Sequence, residues 1–258
     1  MTHFKIVIPA RHGSSRLPGK PLLPLAGKPM IAHVCERALE AGNEVFVATD
    51  DDRIRIAVAG IPVTAVMTRE DHTSGTERIA EVADLQDWPD DTLIVNLQGD
   101  EPLMQPDLIR RLAEALAQQD AAHIATLAAP IHDPAEVRDS NAVKVVLDLH
   151  GYALYFSRAP IPWNRDSFDQ HDTRLPDDFP WLRHIGIYAY TAGFLRRYVN
   201  WPASRLESIE ALEQLRILWQ GERILVVPVD SAPHAGVDTA ADLDRVERVL
   251  SGDRAKAQ

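Results

Sequence analysis

The sequence predicts an α/β fold in which a mixed, mostly parallel sheet is flanked by helices. Short apolar runs alternate with amphipathic helical patterns through the first half of the chain, as expected of β–α–β units. After about residue 140 two apolar runs flank His150 and Gly151, which is typical of an antiparallel hairpin. No repeat, low-complexity tract or flexible linker interrupts the chain. We therefore predict one domain over residues 1–258, with an antiparallel insertion at about 143–190.

The predicted elements follow these patterns in chain order. The first half contains strands at Phe4–Ile8, Val45–Ala48, Val63–Val66 and Leu93–Leu97, and helices at Pro29–Ala41, Asp52–Ala59, Ser74–Leu85 and Pro106–Gln118. The second half contains strands at Val143–Leu149, Tyr152–Ser157, His184–Tyr190 and Ile224–Val229, a long structured loop at 159–182, and helices at Leu206–Trp219 and Thr239–Leu250. Ligands of such sheets bind at the carboxyl ends of the strands. The candidate site segments are therefore residues 9–20, 49–52, 98–102 and 184–188.

Composition and charge exclude several classes of partner. The 258 residues are 45% hydrophobic and 25% charged, which is ordinary for a globular protein. A net charge of −11 argues against nucleic acid or an anionic membrane as the main partner. The chain shows no signal-peptide layout and no apolar stretch of transmembrane length, so we expect a cytoplasmic protein without membrane insertion. The single cysteine, Cys35, lies in a helical apolar pattern and is expected in the core.

The loop after the first strand has the composition of a phosphate-binding loop. Its cations are Arg11, Arg16 and Lys20. Glycines allow tight turns that direct backbone N–H groups toward an anion, and the cations neutralise its charge. The loop is not a Walker A motif, because five residues separate Gly13 from Gly19 and Pro21 stands where Ser or Thr binds Mg²⁺. An ordinary polar connection is the alternative, but three cations in an acidic protein favour a phosphate site.

Two carboxylates are candidate metal ligands. Asp100 follows a predicted strand, where Mg²⁺ could take one or two carboxylates together with phosphates and water. A turn or capping role explains Asp100 equally well from the residues alone. Thr239 and Asp242 can form a capping box, which would leave the neighbouring Asp238 free to point elsewhere. The run Asp50–Asp52 after another strand favours loop and helix N-terminal roles.

Two elements of the second half present polar residues on unusual faces. In the strand His184–Tyr190, His184 and Tyr188 share one face, which suggests a strand that lines a cleft or one that is simply half-exposed. Glu213 falls on the buried face of the helix Leu206–Trp219 and would need a partner. That partner is either Arg216, three residues on, or a substrate hydroxyl.

Seven stretches carry a resemblance to a known family. The run "IPARHGSSRLPGKPL" (8–22) resembles the signature loop of sugar-acid cytidylyltransferases, which share a Rossmann-like nucleotidyltransferase fold with GT-A glycosyltransferases. Six further stretches resemble the cytidylyltransferases of 3-deoxy-manno-octulosonate (Kdo): "HTSGTERIAEV" (72–82), "VNLQGDEPL" (95–103), "YFSRAPIPW" (155–163), "RHIGIYAY" (183–190), "IEALEQLR" (209–216) and "GVDTAADL" (236–243). They occur in family order and span almost the whole chain.

The resemblance implies a reaction and a set of site residues. CMP would pass from CTP to Kdo, with release of pyrophosphate, to activate Kdo for lipopolysaccharide biosynthesis. A homodimer is implied, with the insertion at 143–190 contributing to sugar binding and to the dimer. Mg²⁺ would be held by Asp100 and Asp238, with Lys20 completing the catalytic set. The implied nucleotide-binding residues are Pro9, Ala10, Arg11, Arg16, Lys20, Ser74, Gly75, Arg78 and Gln98. The implied sugar-binding residues are Arg158, His184, Tyr188, Glu213 and Gln214.

Several alternatives stay open. Arg78 also fits a solvated surface residue, and Ser74 a simple helix cap. The acceptor could be an amino-Kdo or sialic acid, since few residues would handle one changed substituent. A GT-A glycosyltransferase would use the turn Gln98–Glu101 as its metal motif but should show Asp-x-Asp. An inactive nucleotide sensor would lack a phosphate cation or a metal carboxylate, and all of them are present.

Overall fold

The computed structural model describes residues 2–13, 17–42, 44–165 and 181–252. The chain divides into two compact units. The first unit consists of Met1–Ala117, Ala189–Val199 and Pro233–Gln258, and the second unit of Gln118–Tyr188 and Asn200–Ala232. The single domain with an insertion at about 143–190 stays a prediction. Most of the predicted loop at 159–182 lies outside the described residues.

Every predicted strand and helix is present, with ends that differ by at most two residues except at 206–219. The short elements at 20–29, 134–138 and 192–198 and the strand at 124–130 were not predicted. The strands are β1 Lys5–Ala10, β2 Pro24–Leu25, β3 Lys28–Pro29, β4 Val45–Thr49, β5 Thr64–Met67, β6 Leu93–Asn96, β7 Ile124–Pro130, β8 Lys144–Leu147, β9 Ala153–Ser157, β10 Leu182–Thr191 and β11 Leu225–Pro228. The helices are α1 Met30–Ala41, α2 Asp52–Val58, α3 Gly75–Leu85, α4 Pro106–Ala117, α5 Pro134–Arg138, α6 Ala192–Tyr198, α7 Arg205–Glu210, α8 Gln214–Trp219 and α9 Ala240–Leu250, with a short 3₁₀ helix at Lys20–Leu22.

Parallel strands form the sheet of the first unit in the order β6-β1-β4-β5. Ile8 lies opposite Val47, and Ala10 lies opposite Thr49. Ile8, Val47 and Thr49 are fully buried, as expected of parallel strands covered on both faces. The strands end at one edge, where the loops that begin at residues 11, 50 and 97 leave the sheet. In the described part of the chain, no helix is long and apolar enough to cross a membrane.

The second unit contains the antiparallel strands. β8 pairs with both β9 and β10 in antiparallel fashion, while β11 and β7 are parallel. The predicted hairpin and the mixed, mostly parallel sheet are thus confirmed. β7 was not predicted from the sequence. All but its last residue are buried, so the strand lacks the alternation that marks a half-buried strand.

The predicted helix Leu206–Trp219 is wrong, because the chain forms two short helices there. α7 ends at Glu210, Ala211 adopts a left-handed conformation with φ +51°, and α8 begins at Gln214. Glu207 accepts from Arg216 Nε at 2.8 Å and from Nη2 at 2.6 Å. Residues nine apart lie on opposite faces of a continuous helix, so this pair requires the break. Glu213 is consequently exposed rather than on a buried face. Arg216, which was one of its two predicted partners, forms its ion pair with Glu207 instead.

This buried pair yields a prediction about stability. Glu207→Ala leaves the guanidinium of Arg216 without its carboxylate, so we expect the free energy of unfolding to fall by about 3 kcal/mol. Arg205→Ala, on an exposed position of the same helix, should change it by less than about 0.5 kcal/mol. Urea unfolding measures both. Equal effects of the two substitutions would show that the pair does not hold the break.

Candidate active site

Lys20 contacts both of the other residues predicted to be catalytic, Asp100 and Asp238. The residue is buried and opens the 3₁₀ helix, directly after Gly19 at φ +67°. Its Nζ donates to Asp100 Oδ2 at 2.6 Å and to Asp238 Oδ1 at 3.0 Å. The structure therefore brings together one cation and two carboxylates from distant parts of the sequence. A local reading of the sequence could not reveal this contact.

The charges of this cluster stabilise one another. Burial alone would lower the pKa of Lys20, but the carboxylates of Asp100 and Asp238 outweigh it, and the pKa is raised. Lys20 thus stays an ammonium ion at neutral pH. Its charge offsets the repulsion between two carboxylates that both lie within hydrogen-bonding distance of it.

A close backbone approach carries Asp238 to Asp100. Val237 N donates to Asp100 O at 2.9 Å. A Cβ atom on Gly236 would lie 2.8 Å from Glu101 Oε1 and 2.9 Å from Asp100 O, so only glycine allows this approach. Val237 is fully buried in a cluster with Leu25, which follows the Lys20 helix. Apolar packing and a backbone hydrogen bond therefore set the position of the carboxylate.

The predicted cap of α9 is confirmed. Thr239 Oγ1 accepts from Asp242 N at 3.3 Å, and Asp242 Oδ2 accepts from Thr239 N at 2.9 Å. These two residues form a capping box, as the sequence indicated. The carboxylate of Asp238 is therefore not needed for the cap, and it faces Lys20 instead.

Most of the predicted nucleotide residues converge at the carboxyl ends of β1 and β6. A Cβ atom on Gly99 would lie 2.9 Å from Pro9 O and 3.6 Å from Ala10 Cβ. A Cβ atom on Gly75 would lie 3.3 Å from Pro9 Cγ and 3.9 Å from Gln98 Oε1. The start of α3, the end of β1 and the loop after β6 are thus in close contact.

Ser74 and Arg11 have different environments at this edge. Ser74 Oγ accepts from Glu77 N at 3.2 Å and caps α3, as predicted. The carboxylate of Glu77 accepts in turn from Thr73 N at 2.7 Å. Arg11 is exposed, and within the described ranges its guanidinium has no hydrogen-bond or ion-pair partner. Arg16 lies outside the described residues.

Arg78 is not a solvated surface residue. It is 3% exposed and donates to Asp50 Oδ2 at 2.6 Å, to Arg69 O at 3.2 Å and to Thr68 Oγ1. A buried guanidinium needs such partners. Asp50 is the nearest counter-charge, so this acid serves the fold through Arg78. The assignment of Arg78 to the nucleotide stays a prediction.

His184 is a neutral group in the second unit. Its ring packs edge-on against Phe156 at 5.0 Å between centroids and lies 5.4 Å from the ring of Tyr188. Burial, with a smaller contribution from Arg183, lowers the pKa of His184 to about 3. Its Nε2 lies 3.0 Å from Thr126 Oγ1. His184 can therefore donate or accept a hydrogen bond, but it carries no charge at neutral pH.

The contacts of Thr126 identify the tautomer of His184. The hydroxyl of Thr126 lies 2.8 Å from Ile187 O and 3.1 Å from Ile185 O. Carbonyl oxygens only accept, so the hydroxyl hydrogen is directed to them. His184 Nε2 must then be the protonated nitrogen that donates to Thr126 Oγ1. The lone pair of the ring lies on Nδ1.

Gln214 and Arg158 differ in their engagement with the protein. The side chain of Gln214 is buried, and its Nε2 has no hydrogen-bond partner among the described residues. A buried amide donor without a partner is unfavourable, so a bound ligand would satisfy it.

Arg158, by contrast, is held by the protein itself. Arg158 Nε donates to Glu210 O at 2.7 Å, and Nη1 donates to Ser140 O at 2.9 Å. Three of its contacts are thus to backbone carbonyls, including a longer one to Ala211 O at 3.4 Å.

Two residues of the second unit were missed from the sequence. Lys144 is fully buried in β8, and Glu210 accepts from Ser157 Oγ at 2.6 Å. A lysine inside the apolar run Val143–Leu149 was a usable signal, because a buried charge requires a dedicated environment. Glu210 gave no such signal, since its partners lie far away in the sequence.

A match to a family model decides the classification. A model described as cytidylyltransferase matches residues 5–224, which is most of the chain. The chain belongs to the cytidylyltransferase family. This membership excludes the GT-A glycosyltransferase alternative and agrees with the predicted fold.

Named relatives of this cytidylyltransferase are similar over nearly their whole length. A 3-deoxy-manno-octulosonate cytidylyltransferase of Methylococcus capsulatus is 65% identical over 250 residues, covering 96% of this chain and 97% of the relative. The protein of the same name from Yersinia enterocolitica is 56% identical, covering 96% and 98%. A solved structure of CMP:2-keto-3-deoxy-manno-octonic acid synthetase complexed with CTP is 43% identical, with a TM-score of 0.87 and coverage of 96% of this chain and 98% of that one.

The neutral His184 of this cytidylyltransferase predicts a pH dependence of stability. Its pKa is about 3 in the fold and ordinarily 6.5, so between these values the unfolded chain binds a proton that the folded chain does not. Stability should therefore fall as the pH falls through this window, by up to about 1.4 kcal/mol per pH unit from this group.

His184→Gln removes this contribution and should flatten the fall in stability between about pH 7 and pH 5. Urea unfolding across that range measures the slope. His123→Gln, at an exposed position of the same unit, is the control and should keep the slope of the unaltered protein. An unchanged slope in His184→Gln would mean that this imidazole ionises normally in the fold.

Proposed function

We propose that this protein transfers CMP from CTP to Kdo, forming CMP-Kdo and pyrophosphate, and so activates Kdo for lipopolysaccharide biosynthesis. The observation that carries the proposal is the convergence of the Asp100 and Asp238 carboxylates on the ammonium of Lys20. This arrangement provides both a cation and oxygen ligands for phosphate chemistry. The names of the relatives from Methylococcus and Yersinia support Kdo as the acceptor.

CTP is assigned to residues of the first unit. Arg11 presents an exposed guanidinium without a partner among the described residues, and Lys20 presents an ammonium at the same loop. Cations of this kind neutralise a triphosphate. The related synthetase structure that contains CTP supports this choice of nucleotide. Pro9, Ala10, Gly75 and Gln98 would contact the nucleoside, because they line the same strand edge.

The Asp100 and Asp238 pair fits a divalent metal. Both carboxylates already share one cation, and oxygen is the ligand type that Mg²⁺ prefers. The part of the chain that the structure describes holds no group of three or more His, Cys, Asp or Glu suited to a metal. Phosphate and water oxygens would therefore complete the shell. When bound, Mg²⁺ would neutralise phosphate charge and lower the pKa of the attacking hydroxyl.

The residues of the chain contribute chiefly orientation and charge. The anomeric hydroxyl of Kdo gives its proton to solvent, and its oxygen attacks the α-phosphorus in line. The bond from the α-phosphorus to the bridging oxygen breaks, and pyrophosphate leaves with its charge balanced by Lys20 and Arg11. The buried amide of Gln214 and the neutral imidazole of His184 hold the sugar acid through hydrogen bonds. Positioning and fixed charges supply catalysis of this type, without a covalent enzyme intermediate.

The remaining expectations also belong to the proposal. Tyr188 and Glu213 are assigned to the sugar acid, and Ser74 and Arg78 to the nucleotide. The proposal also includes a homodimer and a cytoplasmic location.

Substrate choice tests the proposal directly. With Kdo as acceptor, CTP should release pyrophosphate at least about tenfold faster than ATP, GTP or UTP, because base and acceptor recognition act on the same transition state. With CTP, Kdo should exceed sialic acid and 8-amino-Kdo in kcat/KM. A pyrophosphate assay over this grid gives the answer. Equal rates with all four nucleotides would reject a cytidylyltransferase, and preference for another acid would reject Kdo.

The carboxylates give a second test. Asp100→Asn and Asp238→Asn keep the side-chain shape but remove the charge that would hold Mg²⁺. Each should lower kcat by at least about a hundredfold, or roughly 2.7 kcal/mol of transition-state stabilisation. Asp244→Asn, at an exposed position on α9, should leave kcat unchanged. Steady-state kinetics at saturating Mg²⁺ measure all three, and normal turnover in either site variant would remove that residue from the catalytic set.

A further inference from the structure

The carboxylate of Glu210 joins the end of α7 to the end of β9. Its Oε1 accepts from Ser157 Oγ at 2.6 Å, and its Oε2 accepts from Arg158 N at 3.0 Å. Ser157 is 3% exposed, and both residues belong to the second unit. Both oxygens of the carboxylate are thus occupied by protein donors.

The side chain of Arg158 in turn binds backbone carbonyls at the end of α7. Its Nε donates to Glu210 O at 2.7 Å, and its Nη2 lies 3.4 Å from Ala211 O. The last carbonyls of a helix lack partners within the helix, so a cationic side chain here acts as a cap. The two residues therefore hold each other: Glu210 binds the backbone of Arg158, and Arg158 binds the backbone of Glu210.

Lys144 binds the backbone just after the end of β9. Its Nζ donates to Arg158 O at 2.8 Å, to Asp139 O at 2.7 Å and to Ala142 O. An ammonium has three hydrogens, and three backbone carbonyls accept them. The side chain is fully buried, and this burial lowers the pKa of Lys144. The carbonyl of Arg158 is thereby fixed as well as its N–H group.

The break after Glu210 sets where Gln214 begins the next helix. Ala211 adopts φ +51°, which a residue with a Cβ keeps only when its surroundings enforce it. Arg158 donates to the backbone carbonyls of Glu210 and Ala211 at this break, and the carboxylate of Glu210 holds the backbone N–H of Arg158. Gln214 follows three residues later, and its buried Nε2 has no partner among the described residues. The direction of this amide therefore depends on the conformation of the break.

We propose that Glu210 is a positioning residue for recognition of the sugar acid. Through Ser157 and Arg158 it fixes the break between α7 and α8, and through the break it fixes the amide of Gln214. The inference rests on the proposed function, because Gln214 is the assigned contact. It adds a residue that touches no substrate and whose two hydrogen bonds, rather than its charge, are needed.

Two substitutions separate these properties. Glu210→Ala removes both acceptors and should raise KM for Kdo by about tenfold or more, as expected for a misplaced buried hydrogen bond. KM for CTP should stay within about twofold, since the nucleotide is assigned to the first unit. Glu210→Gln can accept from Arg158 N and donate to Ser157 Oγ, so it should restore KM for Kdo to within about threefold of the unaltered protein. Asp230→Ala, an exposed carboxylate of the same unit, is the control and should behave normally.

The outcomes distinguish this inference from the proposed function. An unaltered protein that does not turn over CTP and Kdo rejects the proposed function. Amide hydrogen exchange at residues 211–214 then decides the positioning role, and it should be faster in Glu210→Ala than in Glu210→Gln. Unchanged exchange and an unchanged KM for Kdo in Glu210→Ala overturn the inference. An equal defect in Glu210→Gln also overturns the inference, because it indicates that the charge of Glu210 acts directly on the substrate. A parallel rise in KM for Kdo and KM for CTP overturns it as well, because it indicates a general structural defect.

Discussion

The bridge from Lys20 to Asp100 and Asp238 is the constraint on which the first unit depends. Its members lie 80 and 218 residues from Lys20 in the sequence, so their meeting requires the sheet, the 3₁₀ helix and the segment before α9 together. Two carboxylates this close repel unless a cation lies between them. The absent side chain of Gly236 permits the approach, and the burial of Val237 holds it. The fold therefore brings the two carboxylates together only with Lys20 between them, so the position of the chain and the charge balance of the site depend on each other.

Buried charges elsewhere in the two units are satisfied in different ways. Arg78 takes a carboxylate and a carbonyl, whereas Lys144 takes carbonyls alone. Arg216 and Glu207 form a two-bond ion pair across a helix break. In each case the partner comes from another element, so removing one member would leave a desolvated group unpaired. The contacts of Arg78 and Lys144 fix loops at strand ends, whereas that of Arg216 fixes the break between α7 and α8.

Local patterns allowed most of the fold to be predicted. Alternation of apolar runs located the strands β1, β4 and β6, and the Thr239 and Asp242 box located the start of α9. Periodicity failed where a long-range contact decides the structure. Nothing local in residues 206–219 reveals that Glu207 turns inward to Arg216, and β7 shows no alternation because both of its faces are buried. The cations of the phosphate loop were predicted from the residues, and most other candidate site residues through resemblance. The contacts that position them, such as that of Asp50 with Arg78, became visible only in three dimensions.

The two units offer different chemistry for two anionic substrates. The first unit presents the charged groups Arg11 and Lys20, which suit a triphosphate. In the second unit, His184 is neutral, and the guanidinium of Arg158 donates to backbone carbonyls. All sugar acids carry a carboxylate, so recognition of that carboxylate alone cannot distinguish one from another. Neutral groups such as the amide of Gln214 can, because a buried donor left unpaired penalises the wrong acid. Under the proposed function, specificity for the acceptor follows from hydrogen-bond geometry, and hence from the contacts that fix that amide in place.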